Sequence, residues 1–152
     1  MTRRVHGLDQ MREFARELAM SAGRRRLILL DGPMGAGKTQ FTRFFVEALG
    51  AMETTSPSFA IHNRYETPQG AVEHLDLFRL ESIDDLESTG FWDFFLEPEG
   101  IVIIEWASRL REMHSTFAWP LTWPRWQIEI SPVSGLSEAR DIGMDSSGDG
   151  TL

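Results

Sequence analysis

Between two apolar stretches lies Gly32-Pro33-Met34-Gly35-Ala36-Gly37-Lys38-Thr39, a G-x-x-x-x-G-K-T segment that narrows the possible folds more than any other feature. Leu27 to Leu30, just before it, form a run short and apolar enough for a strand buried on both faces. After it Phe41, Phe44, Phe45, Ala48 and Leu49 recur at helical spacing, and Gly50 stands where that helix would end. Strand, glycine loop and helix are the context in which this spacing has a mechanism. Glycines let the backbone close around a phosphate chain, with its N–H groups pointing inward at a helix N-terminus. Lys38 is expected to reach the β- and γ-phosphates and the Thr39 hydroxyl to ligate magnesium. Such a segment implies a nucleoside triphosphate site in an α/β chain, a three-layer P-loop fold.

The 152 residues suffice for one domain, expected over residues 1–144, with a polar tail, DSSGDGTL, from Asp145 onward. With no cysteine, disulfides, thiolate metal sites and cysteine nucleophiles are excluded. MTRRVHGLDQ lacks the apolar core of a signal peptide and no run reaches membrane-spanning length, so a cytoplasmic protein without a membrane partner is expected. A net charge of −8 suits a polyanion poorly, so any nucleic acid would be held by a partner.

Met11, Phe14, Ala15, Leu18 and Ala19 predict an amphipathic helix from about Asp9 to Ala22. Arg24-Arg25-Arg26 is too short for a nucleic-acid patch and reads as a solvated turn. Phe59, Ile61 and Tyr65, then the turn Pro68-Gln69-Gly70 and the stretch Ala71 to Leu77, read as a hairpin, which makes the sheet mixed, though mostly parallel. Ser82 can cap a short helix with Asp84 and Asp85 in its first turn. The block Phe91, Trp92, Phe94, Phe95, Leu96 is expected in the core. Ile101 to Ile104 forms a second buried strand, Ala107 to Met113 a helix, and 114–125 an irregular connection. Gln127 to Ile130 and, more weakly, Ala139 to Met144 could be late strands.

A phosphate loop needs an acid to position its magnesium, normally at the end of a neighbouring strand. Glu105 follows four buried aliphatics and should emerge at the carboxyl edge of the sheet, where α/β ligands bind. Asp76 lies in His74-Leu75-Asp76-Leu77-Phe78-Arg79, where alternation puts His74, Asp76 and Phe78 on one face. Lys38, Asp76 and Glu105 are therefore the candidate catalytic groups, and Thr39 and Glu105 the candidate metal ligands. Lys38 is expected to be exposed when no nucleotide is bound. Gly32 to Thr39, Gln40, Ser58 and Trp106 are candidate nucleotide contacts, Ser58 from a loop and Trp106 beside Glu105. Arg79 is expected within a strand, in a salt bridge. His6, His62 and His114 have no partner at metal-ligand spacing. The sequence has no Asn-Lys-x-Asp guanine-reading segment, which argues for ATP.

GPMGAGKTQF, SPSF, HLDLFRL followed by Asp84-Asp85-Leu86-Glu87, and IIEWASRL together resemble the TsaE (YjeE) family in order and spacing, over roughly Leu8 to Ile130. That family comprises small bacterial P-loop ATPases of tRNA threonylcarbamoyladenosine modification. The resemblance implies an ATPase that needs ATP and Mg2+ and acts on a complex of TsaB-like and TsaD-like proteins, with tRNA reached only indirectly. It also implies that Glu105 is a magnesium ligand, that Asp76 is needed for hydrolysis, and that Trp106 lies near the nucleotide. Three positions depart from the family: Gln40 and Ser58 replace threonines and Phe78 a tyrosine, which removes a hydroxyl at Gln40 and at Phe78. Two other readings fit a phosphate loop: a small-molecule kinase, which needs a lid bearing several arginines, and a nucleotide sensor that does not hydrolyse. Beyond residue 80 only the scattered Arg109, Arg111, Arg125 and Arg140 could furnish such a lid.

Overall fold

The computed structural model describes residues 1–52, 61–119 and 123–147. In chain order its elements are β1 (Thr2–His6), α1 (Gly7–Ser21), β2 (Arg25–Asp31), α2 (Lys38–Ala48), β3 (His62–Thr67) and β4 (Gly70–Asp76). There follow α3 (Ile83–Glu87), α4 (Phe91–Phe94), β5 (Gly100–Glu105), α5 (Arg109–Met113), β6 (Arg125–Val133) and β7 (Leu136–Ser147). The strands form one sheet in the order β1-β7-β6-β2-β5-β4-β3. Its centre is parallel, β2 lying between β5 and β6 and β4 beside β5, while β3, β7 and β1 pair antiparallel with their neighbours. The mixed, centrally parallel sheet of a P-loop fold is therefore present.

Alternation along the central strands builds the three layers. Ile28, Leu30, Val72, Ile101 and Ile103 point to one face and pack with Met11 and Phe14 of α1 and Phe41 and Phe45 of α2. Leu27, Leu29, Leu75, Val102 and Ile104 point to the other, against Leu86, Phe91 and Leu110 of α3, α4 and α5. The Ser82 hydroxyl caps α3 by accepting from the Asp85 N–H, as its sequence predicts.

Several expectations need correction. The N-terminal residues form a strand, β1, with Val5 alone fully buried, so no hydrophobic pattern announced it. The strand β7 continues to Ser147, where Asp145 and Ser146 pair with Gln127 and Trp126. Backbone ladder bonds rather than apolar side chains hold that end, and residues 148–152 lie outside the described residues. In the aromatic block Phe91 is buried, but Trp92 and Leu96 are 43% and 80% exposed. The core is completed instead by the connection read as irregular, whose Phe117 and Trp119 stack edgewise and whose Trp123 meets Phe95 at 5.1 Å. Of the three arginines, Arg24 pairs with Glu99 on the surface, whereas Arg25 and Arg26 enter β2 and lie over the rings of Trp123 and Trp126. They cover tryptophans rather than forming a solvated turn.

Candidate nucleotide site at the carboxyl edge of the sheet

The glycine loop leaves β2 at Asp31 and closes against the neighbouring strand β6. A Cβ on Gly32, whose φ is +146°, would lie 2.2 Å from the Ile130 carbonyl oxygen, so no other residue fits without moving backbone. At the far end Gly37, at φ +111°, turns the chain into α2 in a left-handed conformation. Arg140 of β7 braces the loop from behind, donating from Nε to the Ala36 carbonyl at 2.9 Å. The sequence offered only a scattered arginine at this position, and the β6–β7 hairpin is what brings it to the loop.

Lys38 is 5% exposed rather than exposed as expected. Its Nζ donates to the carbonyls of Gly32 at 2.6 Å and Pro33 at 3.0 Å, and it lies 4.0 Å from the centre of the Trp106 ring. Loss of solvent lowers the Lys38 pKa, opposed by the negative charges of Glu105, Asp76 and Asp31. Trp106 itself sits at φ +60°, the one non-glycine residue at positive φ among the described residues. Its N–H donates to the Leu30 carbonyl, and its ring meets Phe78 at 5.1 Å.

The acids converge because register and alternation agree. Asp76 of β4 stands opposite Glu105 of β5, which stands opposite Leu30 of β2. Both acids continue the face of Val72 and Ile103, the face α2 covers. Glu105, 1% exposed, accepts from the Thr39 hydroxyl through Oε1 at 2.9 Å and from His74 Nε2 through Oε2 at 2.5 Å. Asp76 is half-buried, and its Oδ1 accepts from the Phe78 N–H at 3.1 Å. Burial raises the Asp76 pKa, and the Glu105 charge adds to that, while the Phe78 N–H, His74 and Lys38 oppose it.

These groups line a cleft of about 370 Å³ with Met34, Gly35, Gly37, Lys38, Thr39, Gln40, Asp76, Phe78, Glu105 and Trp106 on its walls. Of the other sequence-derived candidates, Gly32 and Pro33 supply carbonyls to Lys38, and Ala36 is buried facing a second cavity. That cavity, about 220 Å³, shares Gly37 and Gln40 with the first and is otherwise lined by residues of β1, α1 and β7 such as Val5, Met11 and Arg140. Ser58 lies outside the described residues. Arg79 is not in a strand: β4 ends at Asp76, and Arg79 is exposed in the turn closed by the Leu80 N–H to Leu77 carbonyl bond. Arg109 is engaged elsewhere, donating from Nε and Nη2 to the Leu80 carbonyl. Two side chains at the site escaped sequence reasoning. Asp31 accepts from the Ser108 N–H at 3.0 Å and ties the end of β2 to the chain after β5. His74 entered only as the first residue of HLDLFRL, with no role assigned to it.

The family model for threonylcarbamoyl adenosine biosynthesis protein TsaE matches residues 5–140. The tRNA threonylcarbamoyladenosine biosynthesis protein TsaE of Aquifex aeolicus is 35% identical over 100 residues, covering 64% of this chain and 69% of that protein. Its counterpart from Synechocystis is 33% identical over 111 residues, 71% of each chain. The crystal structure of Bacillus subtilis YdiB superposes with a TM-score of 0.66 at 24% identity, covering 99% of this chain and 86% of that one, a likeness of fold. The matched span contains the glycine loop, both acids and the braces behind them, and the chain belongs to the TsaE family of threonylcarbamoyladenosine biosynthesis proteins.

Proposed function

We propose that this chain is a magnesium-dependent ATPase that serves tRNA threonylcarbamoyladenosine modification by acting on a complex of TsaB-like and TsaD-like proteins. The observation that carries the enzymatic part is the Thr39–Glu105 hydrogen bond at the head of α2, with Asp76 in register beside it. Two hard oxygen donors at that spot suit magnesium, which keeps most of its water and takes one or two protein ligands plus phosphate oxygens. Thr39 and Glu105 would hold the ion, which when bound neutralises charge on the β- and γ-phosphates.

This chain's own groups have separable tasks. Backbone N–H groups at the head of α2, from Gly37 to Thr39, bind phosphate oxygens, and Lys38 exchanges its loop carbonyls for them. Asp76, with a raised pKa and a place on the cleft wall, orients and accepts a proton from the attacking water. Trp106 and Phe78 form an apolar wall that limits water around Lys38. The second cavity, which shares Gly37 and Gln40 with the cleft, is the seat this reading gives the base.

Partner dependence rests on a missing cation. Among the described residues lining the cleft there is no arginine, and an arginine supplied in trans accelerates phosphoryl transfer by roughly a thousandfold or more in related chemistry. With a net charge of −8, tRNA is better brought by a partner than captured directly. ATP turnover measured alone, with tRNA, and with a reconstituted TsaB–TsaD complex tests this reading. Slow turnover that rises only with the protein complex is expected; full speed alone, or stimulation by tRNA alone, contradicts it.

A further inference from the structure

We propose that His74 is a positioning residue that holds the Glu105 carboxylate in the orientation from which it takes the metal. The inference rests on the reading of Glu105 as the magnesium carboxylate. A carboxylate 1% exposed is costly to bury unless its lone pairs are met, and among the described residues Glu105 has two side-chain donors. Thr39 is exposed on α2 and its hydroxyl rotates. His74 is 5% exposed on β4, an inner strand flanked by β3 and β5, with the Tyr65 ring stacked at 6.3 Å. It is the rigid partner of the two.

Among the described residues the ring has no other polar task. Nδ1 is buried with no hydrogen-bond partner among the described residues, so the imidazole makes one polar contact, to Glu105 Oε2 at 2.5 Å. A leucine or phenylalanine would fill this place without burying a bare nitrogen. Because a carboxylate only accepts, the proton of that contact sits on Nε2. One carboxylate oxygen is thus pinned to β4 and the other turned to Thr39, the second donor of the metal pair. Residues in this relation to a metal ligand typically change metal affinity by about 10- to 100-fold when removed.

The test uses the full chain with Mn2+ as a paramagnetic stand-in and ADP as nucleotide. His74→Phe fills the volume and lacks the donor; His74→Gln restores an N–H at similar reach. Weakening of Mn2+ binding to the ADP complex by about tenfold or more in His74→Phe is expected, with metal-free ADP affinity unchanged and most of the loss recovered in His74→Gln. Unchanged Mn2+ affinity, equal loss in both variants, or loss of ADP affinity with and without metal alike would overturn the inference. If Glu105→Ala also leaves Mn2+ affinity intact, the reading of Glu105 falls with it; if Glu105→Ala abolishes it while His74→Phe does not, only this inference falls. Should the phenylalanine variant fail to fold, the imidazole 15N–1H spectrum decides. A slowly exchanging Nε2 proton that shifts in Glu105→Gln supports the proposal, and an Nε2 without a proton overturns it.

Discussion

The two faces of the central sheet end differently at its carboxyl edge. On the face covered by α1 and α2, the apolar series Val72, Ile103 and Leu30 is followed by His74, Asp76 and Glu105, and the acids open onto the cleft. On the other face Leu29, Leu75 and Ile104 lead into Leu77, Ala107 and Phe91, and the packing stays apolar to the end. A period of two lets one strand serve both purposes, because adjacent residues belong to different environments. The candidate site groups are confined to one face, while the other packs as an apolar layer behind them.

Lys38→Ala should have the largest effect, since it removes the cation from the first face. Loss of detectable ATP binding by calorimetry is expected, with a lowered melting temperature because Lys38 is buried and bonded to the loop. An unchanged ATP affinity would remove the basis for a phosphate site here. Asp76→Ala should spare ATP affinity and reduce turnover by about a hundredfold or more, the scale of a general base. Equal loss of affinity and turnover would show that the two acids do not divide the work.

The opposite face should respond in a different quantity. Ile104→Ala cuts a fully buried side chain one residue from Glu105, on the apolar side. A stability loss of about 2–5 kcal/mol in denaturant unfolding is expected, with ATP affinity per folded molecule retained. If affinity fell at constant folded fraction, the separation of the faces would be wrong. Trp106→Phe should give the smallest effect, a few-fold change in ATP affinity and loss of any fluorescence response to nucleotide. A full response persisting in that variant would mean that another tryptophan reports binding.

The same contrast explains what could be read from the sequence. The glycine loop, the runs Leu27 to Leu30 and Ile101 to Ile104, and Glu105 after the second run were legible because burial on both faces and fixed spacing leave strong local patterns. β1 and the end of β7 were not, since backbone pairing at a sheet edge needs few apolar side chains. Lys38 was expected in solvent because nothing local reveals that Trp106 and two loop carbonyls enclose it. His74 and Arg140 matter through contacts 31 and 104 residues away in the chain, distances over which spacing carries no information.

In the proposed function Glu105 joins Thr39 in handling magnesium at this loop. ATP titrated into the wild-type chain and into Glu105→Ala, each with and without Mg2+, tests it most directly. Mg2+ is expected to tighten ATP binding to the wild type and to leave the variant's affinity unchanged. A variant that keeps the wild-type response to Mg2+ would contradict it.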